Sequence, residues 1–483
     1  VYEGNFTLDK SGTASNPIYI LPKTKGKAII DPGKNRTGET GITVNASNVW
    51  LIDLHVTSSS TEKRADLGNS VPYEAGISVF GNNVKLINCW IYDIPGGGLQ
   101  LWRPGLNLEV YGCVIFNNGS QAITRGTGHG MYVQHDDSDF PKILRNNVVF
   151  NNASQGINIY TANPPNGGVI SHENTAFNTG SIANFNSFVH RPPYNFTIGS
   201  ENNLSYSMQV FDNIFYSDLQ GGRLTPDRLR NVTLGREYKP NRDVRFYNNL
   251  IFGGGNQLEI QPLETLRLYG NYFYNVHGKF FQFLVLPDAL PDVVWNENQY
   301  FQTSSDSAPF TNTDFTTWKA ASGFDLNSTL SQALPTTPEI RIIRNRYDPN
   351  KFYVTILNFS KQAEIAVDFS GFGINSAAEF EAIDLQNPFD ESTRIIGDLG
   401  TGWINFPMTN QVALAPKGNM PHQPVHTDET FAVFQVQFRE LFSTPVFKDT
   451  VQVFLDGNGL GMITPSIILS NPPSENFTYE YSL

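Results

Sequence analysis

The densest group of residues able to do chemistry runs Arg125-Gly-Thr-Gly-His129-Gly-Met-Tyr132-Val-Gln134-His135-Asp136-Asp137-Ser-Asp139. If residues 130–134 form a glycine-led strand, Tyr132 and Gln134 project from one face. His129 then flanks the strand at one end and His135 to Asp137 at the other. Such a set suits β-elimination on a uronic-acid polymer, which needs a base, an acid for the leaving oxygen and a cation for the carboxylate. His129, Tyr132 and His135 are the acid–base candidates and Arg125 the catalytic cation, with Arg103 and Arg191 as further carboxylate binders. Asp136, Asp137 and Asp139 are compatible with Ca²⁺. A solvated turn for His135 to Asp137, and a backbone bond at a coil corner for His129, are the plain structural alternatives. An inverting hydrolase would need two carboxyls about 6.5–9.5 Å apart, and the neighbouring Asp136 and Asp137 fit that poorly.

These residues must be held by something, and the sequence repeats. Five stretches share one template: Gly41-Ile-Thr-Val-Asn45, Gly76-Ile-Ser-Val-Phe80, Gly98-Leu-Gln-Leu-Trp102, Gly130-Met-Tyr-Val-Gln134 and Gly156-Ile-Asn-Ile-Tyr160. Each is followed by a longer apolar segment, from 49–57 behind the first to 169–177 behind the fifth, and later copies of that segment continue to 293–301. A unit this small cannot bury its own apolar face, so successive units must stack. The leading glycines lie 22 to 35 residues apart, and the excess over one bare turn must leave as loops, where binding tends to sit. The expected fold is all-β: a right-handed parallel β-helix over 1–302, with residues to about 40 as its entry cap. A Ser/Thr/Asn/Pro-rich linker or return segment is expected over 303–339, and an antiparallel β-sandwich over 340–483.

Alternation assigns the sides. Ile42/Val44, Ile77/Val79, Leu99/Leu101, Met131/Val133 and Ile157/Ile159 are expected in the core. Their neighbours stack into two outer columns, Thr43, Ser78, Gln100, Tyr132, Asn158 and Asn45, Phe80, Trp102, Gln134, Tyr160. Aromatic rings among amides suit pyranose faces and hydroxyl edges, so Trp102, Gln100, Gln134, Asn158 and Tyr160 are assigned to substrate; packing beneath loops is the alternative. His190 and Arg191 come from following coils. An insertion between Phe215 and Phe246 adds Arg223, Arg228, Arg230, Arg236, Lys239, Arg242 and Arg245, of which Arg223 and Arg228 are assigned to substrate. Asp53, Asn88, Gly112 and Asn146 fall at one equivalent corner, where Asn and Gly tolerate a left-handed backbone. Cys89 falls directly over Cys113, as either a disulfide or two buried thiols.

Bulk properties set limits. Charged residues are 16 % of the chain and the net charge is −12, which argues against nucleic acid as a partner. No apolar run is long enough to span a membrane. Two cysteines are no disulfide scaffold. The opening Val1-Tyr-Glu-Gly, without Met, is what a removed signal peptide would leave, although a trimmed chain would look the same. A secreted or cell-surface location is expected, and a monomer is expected as well.

Residues 128–134, Arg145-Asn-Asn-Val-Val-Phe-Asn-Asn152 and Gly156-Ile-Asn-Ile-Tyr160 resemble secreted bacterial right-handed parallel β-helix repeat proteins of the pectate-lyase-like superfamily. The likeness covers residues 1–300, and the region Lys351 to Pro388 resembles sandwiches appended to such helices in polysaccharide-degrading bacteria. The group includes polysaccharide lyases, inverting polygalacturonase-type hydrolases and uronan epimerases. Gly-His-Gly at 128–130 is similar to the hydrolase motif, yet no Asn-Thr-Asp precedes it and no Arg-Ile-Lys follows. The Asn-Gly-x-Glu-x-x-Arg pattern of alginate and chondroitin lyases and the Asp-Pro-His of epimerases are absent too. The resemblance implies a polysaccharide partner. It leaves open a lyase on an acidic polysaccharide, an inverting glycoside hydrolase, and a non-catalytic carbohydrate-binding rod.

Overall fold

The computed structural model describes residues 1–33, 40–64, 75–185, 193–225, 229–236, 241–283 and 292–439. Three parallel sheets of ten, ten and twelve strands wind around one core as a right-handed parallel β-helix. Each coil contributes one strand to the leading sheet, then one to a middle sheet, then one to a flank sheet, as in Ala75–Val79, Lys85–Ile87 and Trp90–Tyr92. The inward residues of the five glycine-led strands are all at most 1 % exposed. The stretch expected as an entry cap is itself coiled: Phe6–Leu8 pairs with Ile42–Val44 and Ile18–Ile20 with Val49–Ile52.

The corners follow from backbone chemistry. Asp53, Asn88, Gly112 and Asn146 all have φ between 52° and 64°, the left-handed turn that the sequence places there. A hydrogen-bonded asparagine ladder starts one residue later. Asn147, Asn174, Asn213, Asn249, Asn271 and Asn298 stack through successive coils, each side-chain oxygen accepting the amide N–H one coil below at 2.9–3.0 Å. Asn249 also donates to the Val210 carbonyl at 3.0 Å. Asn249→Ala should therefore orphan a buried amide and a buried carbonyl together, lowering stability by about 3 kcal/mol in denaturant unfolding. A loss below about 1 kcal/mol would show that water replaces the ladder.

Cys89 and Cys113 are free and buried. Residues 303–339, expected as a linker, contain structure. Helix Phe315–Ser322 places Trp318 against Phe281, Phe283 and Trp295 at the end of the core, and Thr329–Ser331 adds a last strand to the flank sheet. The open end of an apolar stack has to be covered, and this segment covers it.

The sandwich comprises a five-stranded antiparallel sheet and a two-stranded one; residues 440–483 lie outside the described residues. It packs onto the flank sheet, whose outward residues Phe116, Phe150 and Phe177 stack at 4.8–5.0 Å. Phe431 of the sandwich caps Tyr216 at 4.2 Å. The aromatic face of the flank is thus buried between domains.

Candidate functional site

The outer column of the leading sheet has the register that alternation gives: Ser78, Gln100, Tyr132, Asn158 and Thr197 are successive partners. Beside it Phe80 stacks on Trp102 at 5.9 Å, Trp102 meets Tyr132 edge-on at 5.7 Å, and Tyr132 meets Tyr160 at 6.4 Å. Trp102, Tyr132 and Tyr160 open into a cavity of about 390 Å³, lined also by Gln100, Arg125, His129, Asn158, Gln155 and Arg236. No Asp or Glu is among its described lining residues.

Local folding brings the cations in. The chain between Phe116 and Met131 leaves the coil and returns through a short antiparallel pair, Ser120–Gln121 with Gly126–Thr127. Its turn carries exposed Arg125 to the rim. Gly128 has φ +90°, and a Cβ there would sit 2.6 Å from the Gly119 Cα, so the glycines around His129 serve packing. Arg236 arrives from the basic insertion and lies 4.2 Å over the Tyr160 ring, a cation–π contact. Gly199, the register partner of Tyr160, makes this possible, since a Cβ there would fall 2.4 Å from Arg236 Cβ.

The acid–base groups differ in what they can do. His129 Nδ1 accepts the Gln155 amide N–H at 3.2 Å, and its Nε2 lies 3.2 Å from the Asn158 amide group. A neutral imidazole has one acceptor nitrogen, so Nε2 carries the proton and Asn158 must turn its Oδ1 toward it. That orientation also gives Asn158 Oδ1 a partner it otherwise lacks. Desolvation, aided by Arg125 and Arg236, pushes the His129 pKa down to about 3. His129, expected as a base, thus has no free lone pair; it fixes Asn158 and stacks beside Tyr132 at 5.6 Å. Gln134 Nε2 donates to the Tyr132 hydroxyl at 2.9 Å, leaving the phenolic proton free, and burial raises the Tyr132 pKa. Tyr160 donates to Glu201, a carboxylate absent from the sequence assignment, and burial followed by that bond raises its pKa.

Other assigned residues lie elsewhere. His135 is 1 % exposed and points inward; its Nε2 is 3.0 Å from the Phe140 carbonyl. The alternation that turns Tyr132 out turns His135 in, so its catalytic assignment is corrected. Asp136 pairs with Arg103, whose Nε lies 2.6 Å from Oδ2, and neither is among the residues that line the cavity. Asp137 Oδ1 accepts the Asp139 amide at 3.0 Å. These three aspartates do not converge, and no group of three His, Cys, Asp or Glu suited to a metal occurs among the described residues. Arg223 donates to the Ser181 carbonyl at 2.6 Å, away from the cavity. Most of the remaining insertion arginines are paired: Arg230 with buried Glu259, Arg242 with Glu264, Arg245 with Asp243. His190, Arg191 and Arg228 lie outside the described residues.

Burial sets an acid limit on the fold. Desolvation lowers His55 and His135 to about 4 and His129 to about 3, against an ordinary 6.5. The native state keeps them neutral, while the unfolded chain takes protons below 6.5. Stability is therefore full above pH 6.5 and falls as pH drops toward 4. His135→Gln should flatten this fall in unfolding midpoints measured from pH 8 to 4. Superimposable curves would refute the burial argument.

Residues 34–198 match the family model described as "Right handed beta helix region". No curated protein matches the chain. Among solved structures, an alginate lyase from Paenibacillus sp. str. FPU-7 is 16 % identical, over 58 % of this chain and 87 % of that one, with TM-score 0.38. Pectate lyase Pel9A is 12 % identical over 71 % and 79 %, with TM-score 0.40. A tailspike protein of E. coli bacteriophage HK620, in complex with a pentasaccharide, is 11 % identical over 91 % and 87 %, with TM-score 0.33.

Proposed function

We propose that the protein is a carbohydrate-active enzyme, a lyase that cleaves a uronic-acid-containing polysaccharide by β-elimination in the Trp102–Tyr132–Tyr160 cavity. One observation carries the reading: a cavity lined by aromatic rings, phenols and two arginines, with no carboxylate among its described lining residues. Inverting hydrolysis needs a facing carboxyl pair, and this lining supplies none. Arg125 and Arg236 offset the uronate carboxylate, onto which the charge developing at C5 delocalises as the proton leaves. Tyr160 takes the C5 proton as its own passes to Glu201. The C4–O bond breaks, the leaving oxygen takes the Tyr132 proton, and a C4=C5 double bond forms. Trp102 and Phe80 stack on neighbouring sugar rings, while Asn158, held by His129, reaches ring hydroxyls.

The test is ultraviolet absorbance of the unsaturated uronate while the full chain meets alginate, pectate, glucuronan and glycosaminoglycans, with and without Ca²⁺. A rise on any of them supports elimination. New reducing ends without absorbance would favour hydrolysis, and neither product on any polymer would favour a carbohydrate-binding rod.

A further inference from the structure

A second cavity, of about 780 Å³, lies between the flank sheet and the sandwich, away from the groove on the leading sheet. One wall is aromatic. His55 and Trp90 stack at 5.2 Å, and Phe389, 43 % exposed, rests on Tyr92 and Trp90 at 5.0 and 6.1 Å. The opposite character is cationic. Lys351 lines the cavity, is 2 % exposed, and has neither a side-chain hydrogen bond nor an ion pair among the described residues. Lys27 and Lys417 also line it without an ion-pair partner among those residues.

The acids of this cleft are largely spent. Glu381 holds Arg394 at 2.8 Å and Arg439 at 3.3 Å, and Asp93 faces buried Lys63 at 3.4 Å. Asp53 is the remaining carboxylate of the lining; it attracts Lys351 electrostatically, without coming into ion-pair contact with it. Three unpaired lysines against one carboxylate leave a net positive cleft. The Lys351 ammonium is buried with only the Tyr353 ring, 5.2 Å away, and the field of Asp53 to offset its desolvation. That burial is costly, lowers its pKa to about 8, and is offset further when an anion enters. An aromatic wall beside a cation suits a ring with an apolar face and an acidic substituent.

We propose that this interdomain cleft is a second saccharide site, which takes an anionic sugar ring against Phe389 and Trp90 with its acidic group on Lys351 and Lys417. The sandwich would thereby hold an acidic chain whose other segment reaches the cavity on the leading sheet. The site stands on its own lining and shares with the proposed reaction only the acidic character of the ligand.

The experiment is titration calorimetry with the full chain carrying Trp102→Ala and Arg236→Gln, which disable the groove. The probes are a short oligogalacturonate, a short sulfated glycosaminoglycan fragment and a neutral malto-oligosaccharide. At least one anionic probe should bind in this background and the neutral one should not. Its affinity should fall about tenfold or more in Phe389→Ala and in Lys417→Ala, and further in Lys351→Met. The first two sites are at the surface, so these variants keep the test valid if Lys351→Met fails to fold. Preference between the two anionic probes separates carboxylate from sulfate recognition. Absence of binding by all probes, or binding unmoved by Phe389→Ala and Lys417→Ala, would overturn the proposal. Elimination without cleft binding, or cleft binding without elimination, separates its failure from that of the reaction.

Discussion

Tyr132→Phe is expected to lower kcat by about a hundredfold or more, with the unfolding midpoint unchanged. The substitution removes one oxygen whose proposed role is to give its proton to the leaving group. The hydroxyl accepts from Gln134 and donates to nothing among the described residues, so little folding energy is lost with it. Gln134 is itself partly exposed, and water can take the freed N–H. Because burial raises the Tyr132 pKa, the phenol stays protonated through neutral pH, as an acid must. Tyr160→Phe should be comparably damaging. Glu201→Gln separates the roles: it retains an acceptor for Tyr160 but cannot take the proton, so kcat should fall while KM moves little. Full activity in Tyr132→Phe would remove the acid, and full activity in Glu201→Gln would remove the relay.

The legible part of this molecule is the part that repeats. Ile42, Ile77, Leu99, Met131 and Ile157 recur behind glycines, and a repeat has one cheap way to bury such residues, so core and outer columns follow from alternation. The same rule puts His135 inside, a signal that the polar run following it obscures. What a one-dimensional reading misses is nonlocal. Phe116, Phe150 and Phe177 stack on the outside of the coil, and it is Tyr353, Leu385 and Phe431, arriving from the sandwich, that bury them. Arg236 reaches Tyr160 from the next coil but one because Gly199 has no side chain, and only the three-dimensional register makes that glycine informative. The His129 tautomer is likewise invisible in sequence, since it depends on the Gln155 backbone amide and Asn158 from the neighbouring coil.

The insertion arginines show how location outranks charge count. Seven cations between Phe215 and Phe246 suggest a basic arch over the groove, yet Arg230, Arg242 and Arg245 have carboxylate partners and Arg223 is bound to a carbonyl. Of the described ones, Arg236 alone lines the cavity, where it is joined by Arg125 from the hairpin. Neutralising both, as Arg125→Gln with Arg236→Gln, should lower kcat/KM by about a thousandfold at low salt. The loss should be shared between terms: KM rises because the carboxylate loses its counter-charge, and kcat falls because the developing charge does. Raising salt should shrink the KM difference, which is a screened long-range attraction, and leave the kcat difference, which acts at contact distance. Arg242→Gln with Arg245→Gln removes the same charge from outside the cavity and should change little. Equal losses in the two double variants would mean that net basicity, and not this cavity, attracts the polymer.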